Sequence, residues 1–126
     1  MKPEASDILN ISAEQLMGLI PSLSANYQQG AVAVHALLIK FAAREYERGA
    51  DIRAAENADI RALLEELAPD MALPEDKSLA ISALDAVSAE LRRILIDVHA
   101  KADAATNKRI WGLLKQIAAR RAVSLF

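Results

Sequence analysis

Apolar residues recur at helical spacing over most of the chain. The clearest stripe alternates intervals of three and four residues and consists of Leu84, Val87, Leu91, Ile94 and Val98. That spacing places the side chains on one face of an α-helix. A second stripe follows at Ile110, Leu113, Leu114 and Ile117. Residues 27–41 and 52–67 carry further apolar positions with the same period, so we expect helices throughout.

Capping and helix-breaking residues predict where these helices begin and end. Residues 12–15 form a capping box that predicts the start of a short first helix at Ser12, and Pro21 stops it. Pro74, followed by two acidic residues, is typical of the first turn of a later helix. The other predicted starts are Ser22 or Ser24 for the second helix and Asp103 or Thr106 for the last.

Gly49 lies inside the longest helical stretch. No loop-like cluster surrounds it, so we favour one long helix, continuous or kinked, over a break, although glycine weakens a helix interior. The expectation is an all-α fold: an antiparallel helical bundle of about four helices, forming a single domain over residues 1–126.

Composition supports the helical prediction and narrows the chemistry. Alanine, the residue with the highest helix propensity, occurs 26 times, whereas the chain has only four glycines and four prolines. The absence of cysteine excludes disulfides, thiolate zinc sites and cysteine nucleophiles. Glycine-rich phosphate loops and the common catalytic motifs are also missing, so we predict no cofactor and favour a protein without catalytic activity.

The N-terminus indicates the expected location of the protein. It lacks the basic start and apolar core of a secretory signal. The longest apolar run, residues 31–39, is too short to span a bilayer. We therefore expect a cytoplasmic protein that does not bind membranes.

Charge is unevenly distributed, with a balance of −6 in residues 41–76 and +5 in residues 101–126. One interpretation is a basic C-terminal helix that binds nucleic acid through Lys108, Arg109 and Lys115. We favour the other, in which the acidic and basic stretches complement each other, within one bundle or across a dimer.

Polar residues interrupt the apolar seam of the long helix. Glu45 and Glu56 lie on this seam, and a ferritin-like metal site is disfavoured because no Glu-x-x-His motif accompanies them. A buried ion-pair layer, for instance with Arg44, Arg48 or Arg92, fits better than a metal site. The plainest interpretation is that this part of the helix protrudes beyond the core and is solvated. The alternative is a small ligand-binding or enzymatic bundle. Its candidate ligand-binding residues are His35, Glu45, Glu56 and Asp59.

Two segments of the chain resemble each other. Residues 57–67 and 88–98 share three identical residues, and five more positions keep acidic or aliphatic character. A duplicated helical element would explain the similarity. Convergence of two alanine-rich amphipathic helices explains it as well, and we favour convergence.

The leading functional hypothesis is a helical interaction protein that forms a homodimer. The partner is a second copy or another helical protein, and nucleic acid is disfavoured. The long helix or the apolar C-terminus would supply the contact surface, so a charge at Ile52 or Leu125 is expected to weaken the dimer. The candidate interface residues are Ile52, Trp111, Leu125 and Phe126.

Overall fold

A computed structural model describes residues 4–122 of the chain, and the fold over these residues is all-α. About 82% of the described residues are helical, and this part of the chain contains four α-helices and no strand, which confirms the predicted fold class. A 3-10 turn at Ile20–Ser22 follows the first helix. The helices are α1 (Ala5–Leu19), α2 (Asn26–Leu67), α3 (Ile81–Ala100) and α4 (Ala104–Arg121).

Within the described residues, the helices form two compact units, one up to residue 49 and one over residues 50–122. Helix α2 contributes to both, because it continues without interruption through Gly49. The favoured prediction of one long helix is therefore confirmed. The prediction of a single domain stays a prediction.

Helix α1 begins earlier than the capping box indicates. Its first residue is Ala5, and Ser12 lies in its interior, so the predicted start at Ser12 is wrong. Contacts hold the extra turns in place, since the buried Ser6 hydroxyl donates a hydrogen bond to Glu47 Oε2 at 3.1 Å. The predicted end before Pro21 is confirmed.

The N-terminal unit is an antiparallel helical hairpin. The bond from the first turn of α1 to residue 47 and the short connection between α1 and α2 define the antiparallel direction. Its buried residues are small: on α1, Ser6 and Ala13 are seven residues apart, and on α2, Ala36 and Ala43 repeat this spacing. Small side chains at heptad spacing leave little volume between two helices, so the large apolar side chains of this unit do not form its centre.

The C-terminal unit has an ordinary apolar core. The stripe predicted on α3 is confirmed, because Leu84, Leu91 and Ile94 are buried. The second half of α2 and helix α4 complete the core, in which every helix contributes branched aliphatic residues. The buried cluster consists of Ile60, Leu64, Leu91, Ile94, Leu95, Ile110 and Ile117.

The segment before α3 runs back along α2. The predicted helix start at Pro74 is wrong, because α3 begins at Ile81. The Pro74 carbonyl instead accepts a hydrogen bond from Arg61 at 3.0 Å, and Asp76 accepts one from Asn57 at 3.1 Å. This return path brings α3 alongside α2 in the same direction.

The two similar segments, on α2 and α3, have matching burial. Asn57 and Ile60 are buried on α2, as are their counterparts Ser88 and Leu91 on α3. Both duplication and convergence produce this match, because parallel helices that face the same core bury the same positions of a heptad. The two explanations therefore stay open.

Helix α4 begins with a side-chain cap at Asp103, which is one of its two predicted starts. Asp103 Oδ1 accepts a hydrogen bond from the backbone N–H of Thr106 at 2.8 Å. This backbone bond is stronger to the ionised carboxylate than to the neutral acid, so it lowers the pKa of Asp103 below its ordinary value.

Replacement of this cap, Asp103→Ala, is expected to lower the melting temperature at neutral pH. Because the folded pKa is lowered from an unfolded value of about 3.9, the stabilisation is fully present above that value. It is lost as the pH falls through the folded pKa. Thermal unfolding followed by circular dichroism should therefore show a difference in melting temperature between the two proteins that disappears in acid. The Asp103→Asn control should keep the cap. A difference in melting temperature between Asp103→Ala and the unaltered protein that does not depend on pH would contradict the assignment.

Candidate interaction surface

Glu56 is the centre of the polar cluster in the C-terminal unit. Its side chain is fully buried, and Arg121 binds both carboxylate oxygens at 2.6 Å. Arg92 approaches the same carboxylate at 3.7 Å. The ion-pair interpretation is therefore confirmed for Glu56, with Arg92 as one of its partners, and the solvated alternative is wrong for this residue. Both oxygens of this carboxylate therefore accept charge-assisted hydrogen bonds from a guanidinium group.

Further ion pairs join α2 to α4. Arg120 donates to Asp59 at 2.6 Å, and Arg109 donates to Glu66. These pairs lie within one unit, so the favoured interpretation of the uneven charge, complementarity inside the bundle, is confirmed. One of these pairs engages Arg109, which the nucleic-acid hypothesis would require to face a phosphate backbone.

Asn57 links α2 to the segment that follows it. The side chain is fully buried, and its amide nitrogen donates to the Leu84 carbonyl and to Asp76 at 3.1 Å. Its Oδ1 accepts no hydrogen bond within the described part of the chain. Sequence reasoning missed this residue, although a polar residue between apolar heptad positions was a visible signal.

The predicted ligand-binding residues are divided between the two units. His35 and Glu45 belong to the N-terminal unit, whereas Glu56 and Asp59 belong to the C-terminal unit. His35 is exposed, and its Nδ1 lies 2.7 Å from the Ala31 carbonyl, a bond within its own helix. Across residues 4–122, no group of three His, Asp or Glu side chains is arranged to hold a metal ion.

The predicted interface residues occupy different environments. Ile52 is only 9% exposed, so it packs within the protein. Trp111 is 52% exposed, and its ring meets His99 edge-on at 5.8 Å. Leu125 and Phe126 lie outside the described residues.

A stripe of large apolar side chains is exposed on the first half of α2. Its four residues, which we call the outer stripe, are Tyr27, Val34, Leu38 and Phe41, exposed by 78%, 54%, 60% and 42%. At 3.6 residues per turn they fall within an arc of about 60°, on the side of the helix opposite Ala36 and Ala43. This face of α2 therefore exposes four large side chains while the opposite face buries small ones, the reverse of an ordinary soluble helix.

From Tyr27 to Leu38 the outer stripe lies in a segment without formal charge, whereas Lys40 and Glu45 flank its last residue, Phe41. Residues 15–39 contain no Asp, Glu, Lys or Arg, although a quarter of the whole chain is charged. Depletion of charge around exposed aromatic residues is typical of the centre of a protein interface. Helix α1 exposes Ile8, Ile11 and Leu19, but fewer large side chains and no aromatic one.

Sequence reasoning recognised these apolar positions but not which of them would be exposed. The signal was the exact heptad spacing of Tyr27, Val34 and Phe41, which coincides with the uncharged run. Alanine at 36 and 43 repeats the same spacing on the opposite face. Two heptad seams on one helix indicate two packing partners.

No helix in the described part of the chain is long and apolar enough to cross a membrane. A shallow depression between α3 and α4 contains Val98, Lys101 and Thr106 but none of the predicted ligand-binding residues. Comparisons of the chain with models of known protein families, with curated proteins and with solved structures gave no match.

Proposed function

We propose that the protein is a non-catalytic helical interaction protein that self-associates through the outer stripe of α2. The observation that carries the proposal is the inverted hairpin, in which Tyr27 and Leu38 are exposed while Ala36 and Ala43 are buried. Large exposed apolar patches on soluble proteins mark interaction sites. A second copy fits the stripe because its part between Tyr27 and Leu38, which contains no charged residue, meets itself without like-charge repulsion.

The size of the stripe indicates a reversible dimer. Two partly exposed aromatic and two partly exposed aliphatic side chains offer roughly 400 Å² of apolar surface per copy. A stable dimer usually buries about 800 Å² per partner, so neighbouring residues must contribute the rest. We therefore expect a concentration-dependent equilibrium between monomer and dimer.

Replacement of one stripe residue by a charge tests the proposal. Leu38→Glu is expected to raise the dimer dissociation constant at least tenfold, equivalent to about 1.4 kcal/mol, because a buried interface would then contain an unpaired carboxylate. Sedimentation equilibrium over a range of concentrations measures the change.

Two matched controls place the contact. Ile11→Glu introduces the same charge on the exposed face of α1. Ile96→Glu introduces it at an exposed apolar residue of α3. Both should associate as the unaltered protein does. Equal dissociation constants for all three variants would show that the outer stripe is not the contact, and a strictly monomeric unaltered protein would refute self-association.

A further inference from the structure

We infer that two copies pair their α2 helices antiparallel, about a two-fold axis that passes next to Val34. The inference rests on the proposed self-association and adds its direction and register. Tyr27 lies seven residues before Val34, and Phe41 lies seven residues after it. All three side chains are exposed on the same face of α2.

The spacing makes the stripe self-complementary in the antiparallel direction. With Val34 opposite Val34 of the second copy, position 27 of each copy meets position 41 of the other. A two-fold interface requires this reciprocity, in which residue i contacts j and j contacts i. The two aromatic residues of the stripe then pack against each other, Tyr27 of one copy against Phe41 of the other. Neither ring faces its own counterpart in the second copy.

Charge favours the antiparallel over the parallel direction. Glu45 lies four residues after Phe41, on the continuation of the same helix face. Parallel, in-register pairing would place Glu45 opposite Glu45 of the second copy, and like charges facing each other are destabilising. Antiparallel pairing places Glu45 beyond the first residue of the second copy's α2, Asn26, beside the uncharged run. It also sets the two helix dipoles in opposite directions.

Cysteine cross-linking distinguishes the two directions, and the chain has no native cysteine to interfere. Under mild oxidation, Val34→Cys is expected to form an interchain disulfide, because a residue beside the axis lies next to its own copy. Tyr27→Cys alone and Phe41→Cys alone should stay unlinked. A mixture of these two variants should cross-link, since a disulfide requires Cβ atoms about 4 Å apart. Ile96→Cys on α3 is the control for random collision.

The outcomes separate this inference from the proposed function. A parallel dimer would form disulfides in Tyr27→Cys alone and in Phe41→Cys alone, and the mixture would form no disulfide between the two variants. This result would overturn the inference while self-association stands. A dimer in sedimentation without any stripe disulfide would overturn it as well. A monomer in sedimentation would overturn both. Circular dichroism of each variant verifies that the substitution at an exposed position leaves the helices intact.

Discussion

Glu56→Gln is expected to lower the free energy of unfolding by about 3 kcal/mol. The carboxylate is fully buried, and Arg121 binds both of its oxygens. The substitution removes the negative charge but leaves two guanidinium groups, from Arg92 and Arg121, beside the site. Their side chains are 38% and 40% exposed, so water compensates part of the loss and the effect falls at the low end for a broken buried pair.

Urea denaturation followed by circular dichroism measures the loss. The matched control is Glu66→Gln, which breaks an ion pair whose two side chains are 51% and 62% exposed and should cost under about 1 kcal/mol. In the Glu56→Gln background, a further Arg121→Gln substitution should cost less than it does alone. Equal losses for Glu56→Gln and Glu66→Gln would contradict the ion-pair assignment.

Leu64→Ala is expected to destabilise the protein by a similar amount, about 3 kcal/mol. Leu64 is fully buried in the core that α2, α3 and α4 share. Truncation removes apolar surface from the core and leaves a cavity that the flanking helices fill only partly.

The matched control for this truncation is Leu79→Ala. Leu79 lies just before α3 and is 73% exposed, so the same substitution should change the free energy of unfolding by under about 0.5 kcal/mol. Urea midpoints of both variants, at an unchanged denaturant slope, provide the comparison. A Leu64→Ala variant as stable as Leu79→Ala would show that this core is not close-packed.

Local patterns in the sequence predicted much of the fold. The α3 stripe follows from spacing alone, because every heptad position from Leu84 to Ile94 faces a continuous core. The start of α4 follows from Asp103, whose short side chain caps the helix without help from distant residues. The start of α1 does not follow from the local pattern. A contact with Glu47, far along the chain, stabilises the helical turns that precede Ser12.

The segment before α3 shows where local reasoning fails. Pro74 and the acidic residues after it fit the first turn of a helix, but Asn57 and Arg61 on α2 bind the same segment. Those tertiary hydrogen bonds hold the segment extended, and they are not visible in the local pattern. A buried asparagine and a nearby arginine on a helix were the only available signals.

The candidate site was predictable only in part. Arg92 was identified as a partner of the seam carboxylates, whereas the closer partner, Arg121, lies 65 residues from Glu56 in the sequence. The outer stripe was visible as apolar spacing. Spacing does not tell which of the two seams of α2 is buried within the same chain. Burial in the folded protein decides this, since Ala36 and Ala43 are buried while Tyr27 and Phe41 are exposed.

Hydroxyl-radical footprinting of the unaltered protein tests most directly whether the outer stripe is the contact between copies. Oxidation of Tyr27, Leu38 and Phe41 is measured by mass spectrometry at concentrations from well below to well above the dimer dissociation constant. Trp111 and Leu79, which are exposed in the C-terminal unit, serve as internal references. The account predicts that the stripe residues become protected as concentration rises while both references stay reactive. Stripe reactivity that does not change with concentration would contradict it.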